Sequence, residues 1–234
     1  IFLGRNSDFL VSLEKLYMNC LYNLDNVYAF NGNTTAFIEM EDGINEYGLA
    51  VGLTFIYPTV IKPGFNAGML VRYLLEKCKT TNEALAVLKS IPVASQQTLT
   101  IADREGNIVV VECNCEEMEI IRSSNDEGFV VAANEFVSDK MKLYNNYEVD
   151  SWKAEERYSV AYNTLKEHKG SFTFDLIRDI LSGKYGFMCQ YDRKTDADTV
   201  WSVIYDIKNN EICRVEGNPK RKPFKKDIQL KFKE

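Results

Sequence analysis

Apolar residues along this chain come in short runs whose period changes several times. Ile1 to Phe9 starts as an extended segment, and the polar-apolar mixture from there to Phe30 fixes no element. Thr35 to Met40, a turn-rich stretch with Asp42, Gly43, Asn45 and Gly48, and the apolar run Leu49 to Ile56 together predict two adjacent strands. Helical spacing follows from Asn66 to Cys78, where Met69, Leu70, Tyr73, Leu74 and Lys77 recur three and four apart. A second helix begins at Thr80, with Glu83 three residues on as a capping box, and stops before Pro92. Four strands are predicted next: Gln97 to Ala102, Ile108 to Cys113, Met118 to Ile121 and Phe129 to Ala133. Turn-like stretches at 103–106, 114–116 and 123–128 separate them. The pattern returns to helix at Ser151 to Lys166 and Thr173 to Leu181, the latter ending at Gly183. Strands resume at Thr199 to Tyr205 and Glu211 to Val215, and Ile228 to Phe232 alternates weakly.

This order is not the strict alternation of strand and helix that builds a parallel doubly wound sheet. It predicts an α+β fold with antiparallel sheets, and two stacked sheets with a helical layer on each outer face absorb it. No repeat, low-complexity tract or linker divides the sequence, so residues 1–234 read as one domain. With 234 residues, 45% of them hydrophobic, the chain is large enough to hold a core without disulfides or a structural metal. The six cysteines, Cys20, Cys78, Cys113, Cys115, Cys189 and Cys213, form no Cys-x-x-Cys pair. That and a single histidine remove zinc spacing, and no metal or cofactor is expected. His168 lies in a polar run that reads as a fraying helix end, which argues against Ser-His-Asp and Cys-His mechanisms.

A net charge of −6 excludes the basic face that phosphate binding requires, so no nucleic-acid partner is expected. The one basic cluster, Lys220 to Lys222 with Lys225 and Lys226, reads as a solvated loop. The longest apolar stretch, Leu49 to Ile61, is interrupted and too short for the roughly 20 residues that span a bilayer, so no membrane partner is expected. Unpatterned cysteines favour the cytoplasm. Secretion stays open, because the chain starts at Ile1 without an initiator Met.

Three stretches carry candidate chemistry. Gly4-Arg5-Asn6-Ser7-Asp8 sets a guanidinium and a carboxylate three residues apart, Asp42 to Leu49 is a polar loop feeding an apolar strand, and Asn134 ends an apolar run. Singly these also read as a surface ion pair, a hairpin loop and a turn-starting asparagine. In order, the GRNSDF segment, EDGINEYGLAVGL, the run ending at Asn134, Arg157 in a helical stretch, TVWSVIYD and VEGNP resemble a known family over nearly the whole chain. They are similar to the choloylglycine hydrolases and the acyl-CoA:6-aminopenicillanic acid acyltransferases, the N-terminal-nucleophile (Ntn) cysteine hydrolases of linear amide C–N bonds. The acyltransferase-like branch, peptidase family C45, is the closer resemblance.

The resemblance implies a four-layer αββα sandwich with two mainly antiparallel sheets. It implies an enzyme that cleaves a small N-acyl compound through an acyl-cysteine, as hydrolase or acyltransferase, after autoprocessing exposes an N-terminal cysteine. That nucleophile is expected upstream of Ile1, about one hairpin ahead of the GRNSDF segment, and none of the six cysteines takes its place. By resemblance, Asp8 hydrogen-bonds the α-amine, Arg5 lowers the thiol pKa, Asn134 donates to the oxyanion or orients the amine, and Arg157 completes the charge network. An α-amine can serve as the base near neutral pH, which explains how one histidine suffices. Thr54, Phe55 and Tyr57 are candidate substrate-binding residues, although a core uses such aromatics too, and Phe55 reads more as core than as pocket wall. Thr54 stands where choloylglycine hydrolases carry Asn, Ala133 where they carry Thr, and Glu135 where acyltransferase relatives often carry His. These departures keep a second expectation alive, a catalytically silent member that binds a ligand or partner. Family relatives commonly form oligomers, so a homo-oligomer stays open.

Overall fold

The computed structural model describes residues 1–123 and 127–228. Strands β1 (Phe2–Leu10), β9 (Ala197–Asp206), β10 (Glu211–Glu216) and β11 (Lys225–Lys226) form one antiparallel sheet in that spatial order. The second sheet runs β2 (Met18–Tyr22), β3 (Phe30–Thr34), β4 (Asp42–Asn45), β5 (Ala50–Phe55), β6 (Gln97–Ala102), β7 (Ile108–Cys113) and β8 (Met118–Arg122), each antiparallel to its neighbour. Period-two alternation splits the residues of this second sheet between two cores. Val51, Leu53, Leu99, Ile101, Val109 and Val111 pack on helices α1 (Ala67–Lys77) and α2 (Thr81–Ser90). Ala50, Ala102 and Ile44 face Leu3, Trp201, Val203 and Tyr205 of the first sheet. Helices α3 (Ala154–Glu167) and α4 (Phe174–Leu181) share a third core, and α4 lies on β1 and β9. The layers are therefore helix, sheet, sheet, helix, as expected.

Helix starts follow local chemistry. Asn66 Oδ1 accepts from Met69 N at 2.9 Å, and Thr80 and Thr173 hydroxyls accept from the amides of Glu83 and Leu176. Glu83 reaches back to Lys79 N at 2.7 Å, one residue earlier than a standard capping box.

The structure corrects the sequence reading at two places. Thr35 to Met40 is not a strand: Thr34 Oγ1 takes the Ala36 amide, Glu41 takes the Thr35 amide and hydroxyl, and Phe37 is left-handed at φ 60°. Side-chain bonds to the local backbone replace the ladder there. The strand pairing with β5 is instead the polar Asp42–Asn45, whose turn, 46–48, ends at Gly48 with φ 82°. Phe129 to Ala133 is not a strand either, since Phe129 and Val131 pack into the core of α3 and α4 and no described strand pairs with them. Strand β2 lies in the stretch to which the sequence assigned nothing. Four of its residues are half-buried and Leu21 is exposed, with no alternation, and Asn19 bonds the side chains of Asn31 and Asn33. Of Ile228 to Phe232, only Ile228 falls within the described residues.

Asn45 shows why a turn-forming residue can sit buried in a strand. Its Nδ2 donates to the carbonyls of Leu75 and Cys78 at 2.9 and 2.7 Å, and its Oδ1 accepts from the amides of Tyr47 and Leu49. It joins the C-terminus of α1 to the β4–β5 hairpin. Asn45→Ala is expected to destabilise the chain by about 3 kcal/mol, read from urea unfolding midpoints, because three buried backbone groups and one partly buried one lose a partner.

Candidate functional site

In β1 successive side chains point to opposite faces. Leu3, Arg5 and Ser7 face the second sheet, with Leu3 in the inter-sheet core, Arg5 on Leu53 O and Ser7 on Glu41. Gly4, Asn6 and Asp8 face the helical layer, with Gly4 against Ile177 and Leu181 and Asn6 bonded to Leu181 O. Arg5 and Asp8 therefore do not form a surface ion pair with each other.

Arg5 spans the inter-sheet space. Its Nη1 donates to Asp42 Oδ2 at 2.8 Å, its Nε to Leu53 O at 2.9 Å, and its Nη2 lies 3.4 Å from Glu41 Oε2. Asp42 is fully buried and also accepts from Trp201 Nε1 (2.9 Å), Asn33 Nδ2 (2.6 Å) and Tyr205 OH (2.5 Å). On the other face, Arg157 of α3 gathers the remaining predicted residues. Its Nη1 lies 3.4 Å from Asp8 Oδ2, its Nη2 donates to Asn134 Oδ1 at 2.7 Å, and its Nε donates to Trp152 O at 2.8 Å. Asn134 Nδ2 in turn donates to Phe55 O at 2.7 Å, which ties the end of β5 to the network.

Asp8, Arg157 and Asn134 thus form one connected cluster, and with Arg5 they line a cleft of about 890 Å³. That volume lies within the range of small-molecule sites. It is lined by β1, whose outer edge pairs with no described strand, and by 128–134. Gly52 to Phe55 and side chains of α3 and α4 close the other sides. Thr54 and Phe55 line the cleft. Phe55 is half exposed rather than part of the core, and Tyr57 packs edge-on against it at 5.3 Å without lining the cleft itself. Glu135 accepts from Ser151 Oγ at 2.5 Å and is not among the lining residues.

The sequence model of the acyl-coenzyme A:6-aminopenicillanic acid acyl-transferase family matches residues 1–221. The chain belongs to this family. A search of curated proteins finds no match. Among solved structures, the chain is similar to a Caenorhabditis elegans N-acylethanolamine-hydrolyzing acid amidase ortholog, with TM-score 0.60 and 16% identity over 88% of each chain. It is also similar to penicillin V acylase from Agrobacterium tumefaciens, with TM-score 0.60 and 18% identity over 92% of this chain and 78% of the other. A mutant of conjugated bile acid hydrolase from Clostridium perfringens gives 0.59 and 15%, over 98% of this chain and 93% of the other. These likenesses establish the Ntn-hydrolase fold, and family and fold together support an amide hydrolase or acyltransferase of the Ntn type.

The electrostatics distinguish the groups at the cleft from the cysteines elsewhere. Burial raises the pKa of Asp8, against the lowering effects of Arg157, the Thr199 and Tyr191 hydroxyls and Arg5. No cysteine lines the cleft among the described residues. Burial pushes the thiols of Cys78 and Cys189 up to about 11 and that of Cys113 up to about 12, the protonated, inert end of thiol behaviour. Of the basic cluster, Arg221 pairs with buried Asp198, Lys226 with Glu211, and Lys222 donates to Glu216 O at 2.6 Å. No described helix is long and apolar enough to cross a membrane.

Several contributors escaped sequence reasoning. Tyr191 and Thr199 bond Asp8, and Trp152 presents its carbonyl to Arg157 from a left-handed conformation at φ 61°, next to Lys153 at φ 57°. Two adjacent non-glycine residues in that region are strained, and nothing in their identity announces it.

Two outcomes are expected. Asp42→Asn removes the carboxylate that faces Arg5 and cannot accept from all four donors, so it should cost about 3 to 5 kcal/mol in urea unfolding. Because the folded pKa of Asp8 lies above its unfolded value near 3.8, the folded chain holds a proton that the unfolded chain releases. Stability from this group is therefore lost as pH rises from about 3.8 through the folded pKa. Unfolding midpoints of wild type and Asp8→Asn, measured across that window, should show the variant gaining on the wild type as pH rises.

Proposed function

We propose that this chain cleaves the linear amide C–N bond of a small N-acyl substrate through an acyl-cysteine, as a hydrolase or acyltransferase, with the nucleophile on a strand N-terminal to Ile1. The observation that carries this reading is the convergence of Asp8, Arg157 and Asn134 at a groove lined by β1, whose outer edge pairs with no described strand, and by 128–134. A strand in that groove would bring its first residue to the cluster. The groove has no cysteine of its own among the described residues, in keeping with a nucleophile from that strand.

The chemistry follows from the proposed N-terminal cysteine and the groups of the cluster. The α-amine of the N-terminal cysteine accepts the thiol proton, and the thiolate attacks the substrate carbonyl. Asp8 lies where its carboxylate can take a hydrogen bond from that amine, and Arg5 supplies a permanent positive charge on the inter-sheet side, favouring the thiolate. The carbonyl oxygen becomes an oxyanion. Asn134 has two amide N–H groups, one of which bonds Phe55 O, and the other serves the oxyanion. Arg157 fixes the Asn134 amide by donating to its oxygen, which keeps the nitrogen turned away from itself. The ammonium then protonates the leaving amine as the C–N bond breaks. Water or a second amine next attacks the acyl-cysteine and frees the thiol. Thr54 and Phe55 contribute to the acyl side of the cleft, with Tyr57 bracing Phe55.

The test uses protein beginning at a cysteine about one hairpin upstream of Ile1. It is incubated with penicillin V, N-acyl amino acids, an N-acylethanolamine and conjugated bile salts, with turnover by chromatography and adducts by mass spectrometry. An acyl adduct on the N-terminal cysteine is expected, and Asn134→Ala should lower kcat by about 10²- to 10³-fold. Absence of turnover and of any adduct across the panel overturns the proposal in favour of a binding role.

A further inference from the structure

Asp8 is held by more than its ionic partner. Each carboxylate oxygen receives a hydroxyl: Thr199 Oγ1 donates to Oδ1 at 2.6 Å, and Tyr191 OH lies 3.1 Å from Oδ2. The same Tyr191 oxygen is 3.1 Å from Trp152 O, the carbonyl that also accepts from Arg157 Nε. Asp8, Tyr191, Trp152 and Arg157 therefore form a closed ring of contacts beside the cleft.

Neither hydroxyl reaches Asp8 by regular strand geometry. Along the β1–β9 ladder Ser7 lies opposite Trp201, and a continuous register would set Val200 opposite Asp8. The register instead shifts between Ser7 and Asp8, so that Thr199 is the opposed residue. A bulge re-aims side chains and interrupts pairing. Here it replaces a methyl-bearing Val with a hydroxyl directly beneath the carboxylate, the position of closest side-chain approach across a pair of strands.

The segments carrying the two hydroxyls are clasped together from behind. Asn218, in the Val215-Glu216-Gly217-Asn218-Pro219 motif, donates from one amide nitrogen to Cys189 O and to Asp198 Oδ1 at 2.8 Å. Cys189 is two residues before Tyr191, and Asp198 immediately precedes Thr199. Asp198 is buried and also paired with Arg193 and Arg221, while Gln190 fixes its own loop through the carbonyls of Gly183 and Gly186.

We propose that Tyr191 and Thr199 are positioning residues for Asp8, set by the β9 bulge and the Asn218 clasp, and that they fix both oxygens of the carboxylate so that it meets the reacting amine in one orientation. This rests on the reading of Asp8 as the partner of a catalytic amine. A carboxylate held only by a guanidinium 3.4 Å away could rotate about its χ angles, and two hydroxyls on different oxygens remove that freedom. The charged and titratable groups facing Asp8 are Arg157 from α3, and Tyr191 and Cys189 from the loop before β9, while Arg5, on the other face of β1, acts on it only through its field.

The experiment has two arms, so that failure of this inference is separable from failure of the proposed activity. In the first, the carboxyl of Asp8 is titrated by carbon-13 NMR in aspartate-labelled protein, assigned with Asp8→Asn. Both hydroxyls favour the ionised carboxylate, so Tyr191→Phe and Thr199→Val should each move the Asp8 titration to higher pH, while Thr199→Ser should leave it in place. Asn218→Ala should move it in the same direction as the hydroxyl deletions while leaving Asp8 and both hydroxyls in the sequence. Circular dichroism identifies any variant that fails to fold, and Tyr191→Phe, which keeps the ring, carries the test if Thr199→Val does not fold. In the second arm, on protein carrying its N-terminal cysteine, Tyr191→Phe and Thr199→Val should lower kcat by about ten- to a hundredfold, with KM little changed and the acid limb of the pH profile displaced upward. An Asp8 titration that stays put in the folded hydroxyl variants overturns the inference, whether or not the protein turns over any substrate.

Discussion

The carboxylate of Asp42 is the polar centre at which the two sheets meet, within their shared hydrophobic core. It accepts from Arg5 on β1, Asn33 on β3, and Trp201 and Tyr205 on β9, so donors from both sheets meet on one fully buried group. Burying a carboxylate is expensive unless charge and hydrogen bonds compensate it, and here a guanidinium and three neutral donors do so. The consequence reaches the cleft. Arg5 cannot swing toward solvent, because its Nη1 is committed to Asp42 and its Nε to Leu53 O. The guanidinium is thereby held at the cleft wall by the fold itself.

β1 divides the site electrostatically. Its inter-sheet face carries Arg5 and the Asp42 network, and its helical face carries Asp8 with Arg157 and the two hydroxyls. The strand backbone keeps the two ion pairs apart, so the desolvation that raises the pKa of Asp8 is set on one face while the Arg5 charge is compensated on the other. The cost appears in the surroundings: a bulge in the β1–β9 ladder and two left-handed residues, Trp152 and Lys153, at the start of α3. Departures of this kind concentrate where side-chain placement matters more than backbone regularity.

Legibility in the sequence varied with the range of the interaction. Helices α1, α2 and α4 were visible because their caps and apolar stripes are local, and β6, β7, β9 and β10 because their apolar runs sit between clear turns. The segments misread failed for two different reasons. Thr35 to Met40 has strand-forming residues whose backbone is taken by Thr34 and Glu41 side chains, and Phe129 to Ala133 has an apolar run that serves the helical core. Asp42 to Asn45 has turn-formers made into a strand by partners far along the chain. At Thr35 to Met40 the intrinsic preference was overridden by side chains near in sequence, and at the other two segments by neighbours in space.

By itself the sequence determined the layered α+β order and the family, and it singled out Arg5, Asp8, Asn134 and Arg157 as candidates, because ordered motifs and local periodicity are properties of one dimension. Only the tertiary structure decided that Arg5 and Asp8 work on opposite faces of one strand, that Arg157 joins Asp8 to Asn134, and that Tyr191 and Thr199 complete the hold on Asp8. Those contacts join residues 23 to 191 positions apart. They depend on sheet register, a bulge and the approach of a helix, and none of these leaves a mark on the residues nearest in the chain.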